Sequence, residues 1–216
     1  HLTSPADEMG GCFVFQQRPD SEYADRVGEI YHWRQGIPGS KQITPGARFV
    51  YYRPGERVFF GTGWVAAIDQ YVEDDGQTYY NGHVADYQPW APPLPLTPPL
   101  SAKLSFIRAG QVGVGQAGIR KVSEEDFEAI RQAYRQHAKF EAEFQQIQEI
   151  AQKSLAGQTI HTLTGRPNHI VETDRQGLTV ATQSGQDKVP WEWVREVYQA
   201  LCHLGAIETQ DVQEGP

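Results

Sequence analysis

Two hundred and sixteen residues allow one large domain, or one domain with a small appendage. The hydrophobic share is a modest 39 %, yet 5 Trp, 10 Tyr and 9 Phe supply bulky core material that disordered chains lack. The net charge of −8 argues, in bulk, against a dedicated binder of nucleic acid, which ordinarily carries a basic excess. No apolar run approaches the ~20 residues of a membrane-crossing helix, and the opening HLTSPADEMGG has no signal-like pattern, so a soluble, cytoplasmic protein is expected. Cys12 and Cys202 stand at opposite ends without a CxxC, and the seven histidines form no HxxxH or HExxH spacing. Neither a disulfide framework, a metal nor a cofactor is expected.

The first 90 residues read as short strands between turns. Runs at 12–16, 48–52, 58–60, 64–68, 77–80 and 83–87 are rich in Val, Phe and Tyr. Thr44-Pro45-Gly46, Arg53-Pro54-Gly55 and Asp74-Asp75-Gly76 punctuate them, since Pro presets φ and Gly accepts positive φ. This spacing predicts a β-barrel or strongly curved sheet. Residues 89–99 (PWAPPLPLTPP) can be neither helix nor central strand, because so many missing N–H groups would leave a ladder unpaired. The segment reads as a strap held by Trp90, Leu94, Leu96 and Leu100, or alternatively as a polyproline ligand for a partner.

Ser123 opens a long helix: Ser123-Glu124-Glu125-Asp126 resembles a capping box, and acids in the first turn suit the helix dipole. Phe127, Ile130, Tyr134, His137, Phe144, Ile147 and Ala151 trace an apolar face that either packs on the barrel or forms the seam of a homodimer. The helix is expected to stop near Gly157. Beyond it, three short strands (159–163, 169–172, 178–182) and a helix beginning at Pro190 predict a small α/β appendage. The domain reading is 1–122, a connecting helix 123–156, and 157–216. A chain that opens at His1 is also expected to be part of something longer.

Three features bear on chemistry. Gly113-Val114-Gly115-Gln116-Ala117-Gly118 satisfies GxGxxG, but the next helix starts only at Ser123 and no βαβ repeat follows, so a nucleotide-binding loop is excluded in favour of a mobile glycine loop. That loop lies in a stretch without a single acid between Asp86 and Glu124, where Lys103, Arg108, Arg120 and Lys121 make a local basic strip suited to phosphates. No nuclease signature is present: Asn168-His169 lacks partner histidines, and Pro19-Asp20 lacks an acid-x-lysine second half. The chain reads as non-catalytic. Finally, Tyr31-His32-Trp33, Tyr51-Tyr52, Phe59-Phe60, Trp64, Tyr79-Tyr80, Tyr87 and Trp90 crowd sixty residues. Alternate strand residues face opposite ways, so Tyr51 and Tyr52 are not both expected in a core. Rings left facing a groove are suited to stacking on a base.

The segments CFVFQQRPDSEYADRVGEIYHW, PGARFVYYRP, VFFGTGWVAAI and YYNGHVADYQPW, followed by IRKVSEEDFEAI, resemble EVE-type modules of the PUA-like superfamily, particularly the modified-base readers beside HNH nucleases in modification-dependent restriction endonucleases. The resemblance covers about 11–135. It implies an α+β fold, a bent PUA-like β-barrel with flanking helices, and a pocket that holds an extruded modified base in an aromatic cage. It places Tyr31, His32 and Trp33 after the first strand, and Tyr51, Tyr52 and Arg53 at a pocket-facing strand end, with Trp64 a further base-binding candidate. Gln16 and Gln17 stand where the family usually has Lys-Ser or Lys-Thr, although an amide still donates and accepts. Asp20, Glu22 or Asp25, with Asp25 preferred, would accept from a cytosine N4 amino group. The implied function is recognition of a flipped C5-substituted cytosine in double-stranded DNA, with a nuclease in another domain or subunit. An RNA reader and a protein-interaction subunit remain the alternatives.

Overall fold

A computed structural model describes residues 10–18, 26–108, 118–161 and 165–203. The chain divides into two compact units, His1–Ala138 and Lys139–Pro216, with the division inside its longest helix.

In the first unit, six strands form one sheet: β1 (Cys12–Gln16), β2 (Ile30–Arg34), β3 (Arg48–Arg53), β4 (Val58–Val72), β5 (Thr78–Pro95) and β6 (Ile119–Val122). Their spatial order is β2-β5-β4-β3-β1-β6, antiparallel except for β1 beside β3. The four short runs expected at 58–60, 64–68, 77–80 and 83–87 are parts of two long strands. Register shifts at Phe59/Gly61, Thr62/Trp64 and Val65/Ala67 let β4 bend without ending. That bending has a visible consequence. The Tyr31 hydroxyl, on the strand at one edge, lies 3.1 Å from the carbonyl oxygen of Gln16 and 3.0 Å from that of Gly118, at the opposite side of the sheet, and donates to them. The sheet is therefore curled into a barrel-like cup, and the unit is a mixed α+β fold.

The cup is filled and also covered. Inside lie Phe13, Phe15, Tyr31, Trp33, Phe49, Tyr51, Phe60, Val65 and Ile119; outside, Val14, Val50, Tyr52 and Phe59 pack with Trp90, Leu94, Leu104, Phe127 and Ile130. Hence Tyr51 and Tyr52 are both 1 % exposed, against expectation. Alternation does send them opposite ways, but β3 has no solvent face. Burying apolar area of this order, at ~25 cal/mol per Å², is what holds both layers.

The proline-rich segment supplies part of that cover. Residues up to Pro95 continue β5 instead of standing apart from the sheet: Pro89 pairs with Gly61, and Leu94 with Phe59. Proline is tolerated because β2 flanks β5 only from Tyr79 to His83, which leaves this stretch at an edge. Pro98 and Pro99 then open a short helix, α1 (Pro98–Lys103), with the Thr97 side chain accepting from the Leu100 N–H. Proline's missing N–H is harmless in a first turn, which corrects the expectation that 89–99 holds no helix. Trp90, Leu94, Leu96 and Leu100 are buried, as a strap requires.

Helix α2 (Glu124–Ser154) starts at Ser123, whose hydroxyl accepts the Asp126 N–H at 3.0 Å. Asp126 is itself buried and accepts both the backbone N–H and the hydroxyl of Ser105, tying the helix to the end of the strap. Phe127 and Ile130 serve the first unit's core, while Phe144 and Ala151 serve the second unit's. The stripe packs within the chain. In the second unit, β7 (Thr159–His161), β8 (Pro167–Thr173), β9 (Gly177–Thr182) and β10 (Gly185–Pro190) form an antiparallel sheet in the order β10-β9-β8-β7, followed by α3 (Trp191–His203). The reading of three strands missed β10, whose residues Gln186, Asp187 and Lys188 carry no apolar alternation. Pro190 closes β10 instead of opening the helix. Trp191 and Tyr198 bury the helix's inner face against Phe144 and Ala151, and the Trp191 indole donates to the Asp174 carbonyl at 2.8 Å.

Candidate base-binding pocket

Alternation along β2 decides what its three aromatic residues do. Tyr31 and Trp33 point into the cup; His32, between them, points out. Inside, successive rings touch in a column. Tyr87 meets Tyr51 (5.8 Å between centroids), Tyr51 meets Phe49 (4.7 Å), Phe49 stacks on Phe15 (4.7 Å), Phe15 on Tyr31 (4.3 Å), Tyr31 meets Trp33 (6.1 Å), and Trp33 stacks on Tyr80 (5.7 Å, 13° between planes). Each such pair is worth ~0.5–1.5 kcal/mol beyond the area it buries.

At the Trp33 end the column opens on a pocket of about 350 Å³ lined by Trp33, Gln35, Gly36, Ser40, Lys41, Ile43, Ile68 and Tyr80. A volume of roughly 300–1,000 Å³ with apolar walls and a few polar groups is what small-molecule sites generally show. Trp33, only 4 % exposed, is at once core and wall. The backbone holds it close: a Cβ placed on Gly82, in the neighbouring strand β5, would lie 2.9 Å from its ring. Ser40, Lys41 and Gln42 form a 3-10 turn behind Gly39, and the buried Ser40 hydroxyl donates to the Ile37 carbonyl at 2.7 Å. Lys41 is exposed and makes no ion pair among the described residues; none of the lining residues is acidic. Sequence reading named Trp33 but missed the rest of the wall. Tyr80 is the register partner of Trp33 on β5, while Ile43 comes from the turn before β3 and Ile68 from β4.

The opposite end is built differently. Arg53 lies over the Phe60 ring at 4.5 Å and pairs with Glu56 at 3.1 Å. The Tyr87 ring rests on bare backbone, for a Cβ on Gly61 would stand 2.6 Å from it. Burial raises the Tyr87 phenol above its ordinary value, with Arg53 opposing, so the hydroxyl stays protonated.

The remaining base-binding candidates are dispersed. Gln16 is buried beside Tyr52, its register partner on β3, and Gln17 is half-buried with its amide near the Arg18 carbonyl. His32 lies in a second aromatic group on the outer face, its Nε2 2.8 Å from the Tyr71 hydroxyl and its ring against Tyr79 at 5.3 Å. Burial lowers its pKa from the ordinary 6.5, opposed by Glu73. Trp64 is 36 % exposed, its indole donating to Asp86 at 2.8 Å, so it is a surface residue apart from the pocket. Asp20, Glu22, Asp25 and residues 109–117 of the glycine loop lie outside the described residues.

Of the basic strip, Lys103 and Arg108 are exposed at either end of the 104–107 turn, and Arg120 donates to the Phe106 carbonyl at 2.9 Å while packing over its ring. Arg120 is therefore a brace as well as a charge. Lys121, next to it on β6, faces the other way, toward Gly11. Arg48 is bonded to Glu124 and to the Cys12 sulfur at 3.2 Å. Burial and the Glu124 hydrogen bond push the Cys12 thiol up to about 11, which keeps it protonated and unreactive. Among the described residues no group of three or more His, Cys, Asp or Glu gathers in a metal-binding arrangement, and no helix is long and apolar enough to cross a membrane.

No family model matches the chain, and no curated protein does. Solved structures similar to part of it include a point mutant of the ASCH protein of Zymomonas mobilis, at 17 % identity and a TM-score of 0.42, covering 57 % of this chain and 96 % of that one. The unaltered ASCH protein gives 17 % and 0.40, over 56 % and 94 %. The N-terminal domain of Staphylothermus marinus McrB gives 11 % and 0.40, over 56 % and 93 %. What the pocket can bind follows from its own side chains.

Proposed function

We propose that the first unit is a non-catalytic nucleic-acid-binding module that takes an extruded base into the Trp33 pocket, and that its ligand is double-stranded DNA carrying a C5-substituted cytosine. The observation that carries this reading is the Trp33–Tyr80 wall: near-parallel rings on a pocket of about 350 Å³ that is lined also by apolar Ile43 and Ile68 and by the polar side chains of Gln35 and Lys41. Stacking of a base on such rings is worth ~1–3 kcal/mol, enough to offset part of the unstacking that extrusion requires. The C5 methyl group itself adds only ~0.8 kcal/mol of apolar burial, so selectivity rests on the fit of the whole ring.

The charges suit a weak, salt-sensitive grip. Lys103, Arg108 and Lys121 offer phosphate contacts in an otherwise acidic chain. A nuclease that acts on the bound DNA would belong to another domain or subunit. The decisive experiment is a gel-shift series with duplexes carrying 5-methylcytosine, 5-hydroxymethylcytosine, N6-methyladenine or no modification. Tighter binding of the cytosine-modified duplexes is expected; equal affinity for all four overturns the specificity, and no binding overturns the function.

A second reading, for the second unit, rests on Trp193 and Val197. They are 60 % and 59 % exposed one turn apart on α3, while Trp191 and Tyr198 fill its core. An exposed tryptophan of this kind is a common anchor in protein contacts. Loss of partner co-purification in Trp193→Ala, with an unchanged melting temperature, is the expected sign.

A further inference from the structure

We infer that the ring held in the Trp33 pocket turns an oxygen-bearing or anionic substituent toward Lys41, so that the site prefers an oxidised C5 substituent, such as a carboxylate, to a methyl group. This rests on the proposed base pocket and refines it. Lys41 is the charged group among the described lining residues and carries only donors; the Gln35 amide can turn either way, and the Ser40 oxygen, its proton given to the Ile37 carbonyl, is left to accept. An amino group facing Lys41 would set donor against donor; a carboxylate or carbonyl there gains a charge-assisted hydrogen bond.

The position of the ammonium supports a role in recognition. Lys41 lies in the 3-10 turn that lines the pocket, two residues from Ile43, which is buried, and one from Ser40, which is buried as well. Its backbone is thus anchored by buried neighbours, while its side chain is exposed. Among the described residues no carboxylate pairs with it. An acceptor of this kind has two sources, the ring substituent and a backbone phosphate, and they differ in one measurable respect. A phosphate is present in every duplex; the substituent is present in one.

The test measures fluorescence anisotropy of the full chain on three duplexes identical except for one central cytosine, which is plain, 5-methylated or 5-carboxylated. The carboxylated duplex is expected to bind about five- to tenfold tighter than the methylated one at low salt, as a single partly screened ion pair allows. The preference should shrink as salt rises and the Debye length falls below ~10 Å. Lys41→Gln should remove the preference for the carboxylated over the methylated duplex, and Lys41→Glu should invert it. Equal weakening of all three duplexes by Lys41→Glu assigns Lys41 to a phosphate and overturns the inference, as does an unaltered preference. Gln35→Trp, which blocks the mouth from an exposed position, separates the two levels: if it changes no affinity, the base is not in this pocket and the underlying reading fails.

Discussion

The two ends of the interior aromatic column use the same residue types for opposite purposes. At the Tyr87 end, rings close on backbone: Tyr87 sits against Gly61, and Arg53 is spent on Phe60 and Glu56. At the Trp33 end, rings of the same kind stop short, leaving about 350 Å³ lined in part by Lys41, which makes no ion pair among the described residues. The difference lies in what continues past the rings. Strands β4 and β5 extend beyond β3, because Arg48, the first residue of β3, pairs with Trp64, while β4 runs on to Val72. Tyr80 and Ile68 thus reach past the packed core to form a wall. Aromatic density is a core signal wherever strands are covered on both faces, and a site signal only where they outrun their neighbours.

The strongest way to break the comparison is at the column's middle. Tyr51 touches Phe15, Tyr31, Phe49, Phe60 and Tyr87, and Tyr51→Ala should cost ~3–5 kcal/mol in urea unfolding. A loss below ~1 kcal/mol would mean that the column does not carry the core. Trp33→Ala is expected to combine a similar loss of stability with loss of base discrimination, since Trp33 belongs to both core and wall.

Glycine substitutions sharpen the contrast at smaller cost. Gly61→Ala and Gly82→Ala each place a methyl group under 3.0 Å from a ring, the first against Tyr87 and the second against Trp33. Overpacking of this kind generally costs ~1–3 kcal/mol. Both variants should be destabilised by a comparable amount, but only Gly82→Ala should alter DNA affinity, because only there does the displaced ring line the pocket. Equal binding by the two variants would show that the Trp33 wall is not what the ligand touches.

Much of the local structure was legible. The strand at Cys12–Gln16, the Ser123 cap and the apolar stripe of the long helix each follow from side chains acting on their own neighbourhood, and they stand where those side chains place them. What failed was tertiary. Tyr52 is buried because a proline strap and a helix cover its face, and nothing within five residues of it announces that cover. β10 escaped notice because a polar strand is held by its ladder to β9 rather than by alternation. Within the site, Trp33 could be named from the aromatic cluster, whereas Tyr80 reaches it as its partner in the β2–β5 ladder, and Lys41 and Ile43 reach it through the turn before β3, pairings that no single residue encodes.

The smallest expected effect concerns the outer face of the same strand. His32 points away from the pocket into a group with Tyr71 and Tyr79, and burial lowers its pKa from 6.5 while Glu73 works against that fall. A histidine held neutral in the folded state stabilises that state fully above its unfolded value of about 6.5 and loses that contribution as pH drops through the lowered folded value. Acidification from pH 7 toward 5 should thus weaken folding, and His32→Gln should flatten that part of the stability profile. Base binding measured at pH 7 should be unaffected by the substitution, since the Tyr71 hydrogen bond lies on the far side of β2 from Trp33. A His32→Gln chain that keeps full stability and its original acid sensitivity, yet loses DNA, would place the ligand on the outer face and reverse the assignment of the two aromatic groups.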